Sequence, residues 1–332
     1  MKKIVLVGEK EAKRTNFFLS AAKDIGETVY FMDIHKIQEE KLENSMVKID
    51  PMVMEEIEVG QLNSAVSKYK EKIVSLEGIK DIEFLNSPRS ILTMLDKRQS
   101  KSILLNADIA TTPLLYDNIK SINELKQAMD GKKIYSVFIK PVFGSGAAGV
   151  VAYRYNPRLN KEIMITSVVR KENKLINTKK IIKYTDSEEI KQIINAILVQ
   201  GAIVEKWIPK AEHKGLHYDI RVVCQFGHVD FMVGRCSSGP ITNLHLNNHA
   251  IAIDELGITS KTIDQIHTLC KNAMHCFSGA KMAGIDILLT KDTLTPYIIE
   301  MNGQGDMLYQ DIYRENKIYK QQIREMRKQI ER

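Results

Sequence analysis

Asp286, Glu300 and Asn302 are the residues best placed by type and spacing to do chemistry. Glu300 and Asn302 stand two apart in a run with strand character, so both side chains leave the same face. Asp286 and Glu300 are equidistant from a turn near Thr293, which predicts a hairpin with the two carboxylates opposite each other. Facing like charges destabilise a sheet, yet these stand among Ile285, Ile287, Leu288, Ile298 and Ile299. Two carboxylates and an amide oxygen converging from apolar strands suit a hard divalent cation held together with phosphates. A solvent-facing polar row on an amphipathic hairpin accounts for the same spacing.

Lys140 ends a hydrophobic run, sharing a face with Ser136 and Phe138. Pro141 stops it, and Gly144, Ser145, Gly146, Ala147 and Gly149 follow. Small residues let a backbone approach an oxygen-rich ligand, and successive N–H groups can cradle phosphate. The lysine precedes the glycines and no Gly-Lys-Ser/Thr follows, so this is not a Walker A loop. Lys97 is a second candidate phosphate cation, or a solvated helix lysine. Glu205, Lys206, Trp207 and Ile208 end an apolar strand at Pro209. Unpaired backbone groups there would match an adenine edge, with Trp207 or Ile208 on the ring; an edge strand stopped by proline is the alternative. Asp219 and Arg221 share a strand face, and the partner strand carries Arg235. Such arginines would fork onto a phosphoryl group or a carboxylate, or Asp219 and Arg235 form a plain ion pair. Asn243 adds a polar anchor in an apolar run.

The elements that must position these residues read as three parts. Residues 4–8 form a strand, a helix carries Phe17, Phe18, Ala21 and Ala22, and a second strand follows. This opening is Rossmann-like without a G-x-G-x-x-G, so it carries no dinucleotide fingerprint. The pattern predicts an N-terminal domain over 1–88, a central unit over 89–208 whose lid spans about 133–208, and a C-terminal unit over 209–332. One helix is expected over 90–106, and a charged amphipathic helix over 310–332 packs on its own lobe.

The chain has 332 residues, 44% hydrophobic and 27% charged, as in a soluble globular protein of two or three packed units. No apolar run is long enough for a membrane span. The five apolar-rich residues after Met1-Lys2-Lys3 do not make a secretory signal, so the expectation is cytoplasmic. Four cysteines without CxxC spacing read as reduced thiols. The net charge is +7, and nine Lys/Arg against two acids in 154–183 account for it. A uniformly basic nucleic-acid binder would look different. The basic segment reads as a solvated face, or as a surface receiving an acidic substrate such as a peptide.

The order of Asp96-Lys97, the Lys140 run with its glycine turn, Glu205 to Ile208, Asp219-x-Arg221, Asn243-Leu-His, Gly284-Ile-Asp286 and Glu300-Met-Asn302 resembles the ATP-grasp superfamily. The branch containing ribosomal-protein glutamate ligase and bacterial glutathione synthetase is similar, as is an uncharacterised bacterial ATP-grasp group. The resemblance covers roughly 86–308. It implies an α/β (α+β) fold with a Rossmann-like lobe and two α+β lobes clasping ATP. Lys97 and Lys140 would contact phosphates under the 144–149 loop, and Glu205 to Ile208 would bind adenine. Asp219 or Glu212 would bind ribose. Arg221, Arg235 and Asn243, with Lys140, would hold the reacting groups. Asp286, Glu300 and Asn302 would bind Mg2+, as two ions, with Mn2+ as a substitute. The implied activity is a carboxylate–amine ligase working through an acyl phosphate, with no nucleic-acid or membrane partner and a homo-oligomer compatible. A phosphotransferase and a non-catalytic nucleotide-binding protein are the alternatives. Thr242 before the Asn-Leu-His and Gly303-Gln304-Gly305 after Asn302 depart from the ligases' pattern.

Overall fold

The computed structural model describes residues 2–51, 58–144, 146–172, 174–305 and 315–331. The first lobe contains β1 (Lys3–Gly8), α1 (Lys13–Asp24), β2 (Val29–Asp33), β3 (Ser45–Ile49), α2 (Leu62–Ser75) and β4 (Ile82–Phe84). Its sheet has the order β2-β1-β3-β4 with every pairing parallel. A parallel sheet is covered on both faces, and β1 reads accordingly as an unbroken apolar run. Ile4 and Leu6 pack towards Phe18 of α1, while Val5 and Val7 pack towards Tyr69 and Ile73 of α2.

The chain continues through α3 (Pro88–Leu95), α4 (Lys97–Asn106), β5 (Leu114–Tyr116), α5 (Ile122–Lys132), β6 (Ser136–Pro141), β7 (Val151–Asn156), β8 (Lys161–Lys171), β9 (Lys174–Tyr184), α6 (Ser187–Val199) and β10 (Ala202–Lys206). The single helix expected over 90–106 is two. Asp96 takes an extended conformation and its carboxylate caps the amide of Gln99 at 3.0 Å, which starts α4 afresh. Periodicity ran on across this break, so it did not reveal it. The second sheet has the order β5-β10-β6-β7-β8-β9. One face packs on α5 and α6 through Val137, Ile139, Val204, Leu125 and Ile194. The opposite face carries Phe138, Lys140 and Glu205, because alternate residues of a strand point to opposite sides.

The last part contains β11 (Glu212–His213), β12 (Leu216–Gln225), β13 (His228–Ser237), β14 (His249–Ala252), α7 (Ser260–His275), β15 (Met282–Leu289), β16 (Pro296–Asn302) and α8 (Lys317–Ile330). The third sheet runs β14-β13-β12-β15-β16, with β11 on β12. Ile220, Val222, Ile285 and Ile287 face α7, and Met94 of α3 and Leu104 of α4 join that core. The alternate residues, Asp219, Arg221 and Asp286, face the other way.

The C-terminal helix begins at Lys317; positions 310–314 of the expected helix lie outside the described residues. It packs on its own lobe, through Val223, Val233 and Met282, and on the first lobe as well. Tyr319 meets Phe18 edge-on with ring centroids 5.5 Å apart. Ile318, Ile323 and Met326 are buried against Ile4, Leu6 and Met46. Among the described residues no helix is long and apolar enough to cross a membrane.

Candidate functional site

The expected hairpin is present: β15 and β16 pair antiparallel with Asp286 opposite Glu300, and a bulge follows Asp286. Arg221 on β12 lies opposite Asp286, and Arg235 on β13 opposite Asp219. These side chains form one buried network. Arg221 Nη1 donates to Asp286 Oδ1 at 2.5 Å, and Arg235 Nη2 stands 3.1 Å from Asp286 Oδ2. Arg235 also forks onto Asp219 at 2.6 and 2.9 Å. Gly284 makes room for Arg221: a Cβ there would lie 3.2 Å from the guanidinium carbon.

Asp219, expected on ribose, is 2% exposed, and its oxygens already accept from Arg235, from Thr242 and from Lys210 at 3.4 Å. Burial alone would raise its carboxyl, but the charges of Arg235 and Lys210 outweigh that and hold it below the ordinary carboxylate range. The cross-strand ion pair is therefore what forms, since a carboxylate this buried needs partners. Glu212, the other ribose candidate, is exposed and accepts from Lys291 at 2.9 Å.

The facing wall comes from the second sheet. Lys140 Nζ donates to Glu205 Oε2 at 2.5 Å, and Thr112 Oγ1 donates to the same oxygen at 3.0 Å. Lys101 stands 2.5 Å from Glu205 Oε1 as an ion pair, with its hydrogen bonds directed to Thr111 and Thr112 instead. Burial raises a carboxyl, but Lys101 and Lys140 outweigh it and bring Glu205 down to about 2. Burial pulls the Lys101 ammonium down to about 8, against the opposing pull of Glu205. Lys101 is the residue the sequence reading missed; its signal is the helical i, i+4 spacing from Lys97.

Lys97 joins the two walls. Its ammonium donates to the Gly144 carbonyl at 2.8 Å and stands 3.2 Å from Glu300 Oε1. Lys97, Lys101, Lys140, Glu205 and Glu300 line one cleft. The turn above it needs left-handed backbone: Gly146, Ala147 and Gly149 have φ of 64°, 64° and 70°. At Gly149 a Cβ would strike Pro141 at 2.7 Å, so glycine is required there. Ser145 lies outside the described residues.

The strand end at 205–208 differs from expectation. β10 lies between β5 and β6 and is not an edge. The amides of Lys206 and Trp207 are already given to the carbonyls of Pro113 and Ser136 at 2.9 and 3.1 Å, so they are not free for an adenine edge. The Lys206 side chain is exposed and Ile208 half-buried. The Trp207 ring packs at 5.3 Å on Phe138, with Arg154 over it at 4.4 Å. Asn243 caps the turn that carries His245 and accepts from its amide at 2.9 Å.

Asp286, Glu300 and Asn302 offer only oxygen donors on neighbouring strands, which fits a hard cation. Among the described residues no three His, Cys, Asp or Glu gather. A cation here would therefore complete its shell with phosphate oxygens, and would have to displace an arginine from Asp286.

No family model and no curated protein matches the chain. Solved structures do. D-cycloserine synthetase DcsG aligns over 97% of this chain and 98% of its own at 11% identity, with a TM-score of 0.64. The ATP-grasp ligase PsnB, complexed with precursor peptide PsnA2 and AMPPNP, aligns over 99% of both chains at 13% identity and 0.59. D-alanine–D-alanine ligase from Bacillus anthracis, complexed with ATP, aligns over 98% and 95% at 12% identity and 0.57. Likeness at such identities is likeness of fold, and the fold of this chain is the ATP-grasp fold.

Proposed function

We propose that the chain is an ATP-dependent carboxylate–amine ligase that passes through an acyl phosphate. The observation that carries this reading is the opposition of the two walls. Carboxylates and arginines of the third sheet face lysines of α4 and β6 beneath a glycine turn, and Lys97 touches both. The similar folds of PsnB, complexed with AMPPNP and a precursor peptide, and of D-alanine–D-alanine ligase, complexed with ATP, support nucleotide and ligase chemistry here.

In this reading a carboxylate oxygen of the acid attacks the γ-phosphorus, the bond to the β-bridging oxygen breaks, and ADP leaves. The amine nitrogen then attacks the acyl carbon, phosphate leaves with the carbon–oxygen bonding pair, and the amine's proton passes to solvent. Lys97 and Lys140 hold the phosphates, and Arg221 and Arg235 spread the charge of the transferring group through fixed donors. Mg2+ bound by Asp286, Glu300 and Asn302 would supply further neutralisation of phosphate charge. The turn at 144–149 excludes water that would hydrolyse the intermediate. No nucleophilic side chain is needed. A peptide is one form an acidic substrate takes, and the basic strands β8 and β9 would receive it; Lys179, Lys180 and Lys183 are exposed there.

The test is a product assay with Mg-ATP and paired panels of acids and amines. ADP and free phosphate appearing only when both are present is the expected result. A phosphorylated product would overturn the ligase reading in favour of a kinase, and tight nucleotide binding without turnover would overturn it in favour of a binding protein.

A further inference from the structure

β14 is the outer strand of the third sheet and pairs with β13, Arg235 opposite Ala250 and Cys236 opposite His249. Alternate residues of such a strand turn their N–H and C=O groups to opposite sides, so half of those on β14 face away from β13. Folds protect an edge of this kind with lysines or a proline. β9, the outer strand of the second sheet, carries Lys174, Lys179, Lys180 and Lys183. β14 runs from His249 through two alanines and Ile251 with no lysine and no proline, and its first two residues are exposed.

A pocket of about 340 Å3 adjoins this edge. Directly opposite residues of paired strands share a face. His249 therefore lies with Cys236 on the α7 side of the sheet, and Ala250 with Arg235 on the other. Leu216, Cys236 and Ile251 give the pocket an apolar wall, and His213, Lys214, His249 and Glu255 a polar one. Gly234 lets the apolar wall close, since a Cβ there would stand 2.6 Å from Ile251 Cγ2. His213 Nε2 is buried and makes no hydrogen bond, and a buried polar atom calls for a partner. Two imidazoles and an ammonium against one carboxylate suit an acidic group on an apolar stem, which is the chemistry of a glutamate side chain.

The edge also leads back to the cleft. A strand added to β14 turns its side chains alternately to the two faces of the sheet. One set enters the pocket beside His249. The next lies on the face of Ala250, two strand spacings or about 10 Å from the backbone of Arg235. The turn at 244–246 that leads into β14 packs beside β9. An acidic chain running on past this end meets Lys179 and Lys180, both exposed.

We infer that an extended acidic peptide docks by adding a strand to β14, with one glutamate side chain anchored in the pocket. Its carboxylate accepts from His213 Nε2–H and from Lys214, and its methylenes lie on Leu216 and Ile251. The neighbouring residue is then turned to the face of the arginines. This rests on the ligase reading and names the surface that receives its peptide.

The experiment uses the intact protein with Mg-AMPPNP and a fluorescent, capped hexapeptide carrying two adjacent glutamates between serines and glycines, with binding read by anisotropy. Each peptide nitrogen is methylated in turn. Strand addition uses every second N–H, so affinity falls by roughly tenfold or more at alternate positions and stays within about threefold between them. His213→Ala weakens binding by roughly tenfold, the loss of one hydrogen bond to a charged group. Replacing one of the two glutamates by alanine makes the peptide indifferent to that substitution, and replacing the other does not. A methylation series without the alternation, His213→Ala binding the peptide as tightly as the wild type, or no peptide binding to protein that binds Mg-AMPPNP each overturns the docking alone. The methylation series is read on the wild type, so it decides the matter even if His213→Ala does not fold. Failure of Mg-AMPPNP to bind overturns the ligase reading instead.

Discussion

Glu205 holds the second wall together, and what it does can be separated from what a nucleotide would do. Its carboxylate is 2% exposed and answers Lys101, Lys140 and Thr112. Removing one member of a buried ionic cluster leaves the others charged and unpaired, which costs about 3–5 kcal/mol. Glu205→Gln should therefore lose about that much in denaturant unfolding at neutral pH; a loss below about 1 kcal/mol would mean that water solvates the lysines. The pH dependence has a definite sign. The folded carboxyl titrates near 2, below its ordinary 4.5. The unfolded chain takes up this proton first as pH falls, so the contribution is complete above about 4.5 and lost between there and about 2. The acid limb of the wild type should be steeper than that of Glu205→Gln. Lys140 was legible from its place at a strand end; Glu205 was read as part of an adenine edge, and the place of its side chain between two lysines was not. Lys101 was not, because its contacts with Thr111 and Thr112 depend on the bend after α4, which helical spacing does not describe.

At the scale of elements, the β15–β16 hairpin was the most legible part, since a period of two and one turn fix the register. Counting back from Thr293 put Asp286 opposite Glu300, and the bulge after Asp286 did not disturb that pair. β10 was misread because Pro209 suggested an edge; β5, which covers its other side, is joined to it from far up the chain. What sequence could not show is how the hairpin's end is held. Asn86 is buried in the linker after β4, and its side chain makes four backbone hydrogen bonds. It donates to the carbonyls of Met282 and Gly303 and accepts from the amides of Lys281 and Met282. Gly303 adjoins Asn302, so Asn86 would act on the proposed cation site through the loop. Asn86→Ala should raise the Mg2+ concentration needed for half-maximal activity by roughly tenfold, the usual effect of removing an outer support from a metal ligand. The KM for ATP at saturating Mg2+ should move far less. If both constants rise together, the residue supports the fold in general and not the loop.

At the scale of the molecule, the second and third sheets line one cleft, and the second is anchored to the first lobe by Val59 and Leu62, which are buried in its core. α8 ties the third part to the first through Tyr319 and Phe18 and through Gln322, which donates to Gln225 at 3.2 Å. That crossing was invisible in an amphipathic pattern, which records that a face is buried but not against what. β9, by contrast, is the outer strand of its sheet. It reaches the first lobe through a bridge between Glu58 and Ile176 and through Lys174, 3.5 Å from Glu58 and largely exposed. An exposed ion pair contributes about 0.2–1 kcal/mol, too little to hold a lid shut. In the proposed function, nucleotide would tighten these outer strands by adding phosphate contacts under the 144–149 turn. Amide hydrogen exchange in β8 and β9 should slow when Mg-AMPPNP is added, while exchange in β1 and β3 stays the same. Lys174→Ala should leave nucleotide affinity within about fivefold, as expected for a contact of that strength. Protection of β8 and β9 that is identical with and without nucleotide would show that closure is already complete, and the turn would then act as a fixed wall of the cleft and not as a gate.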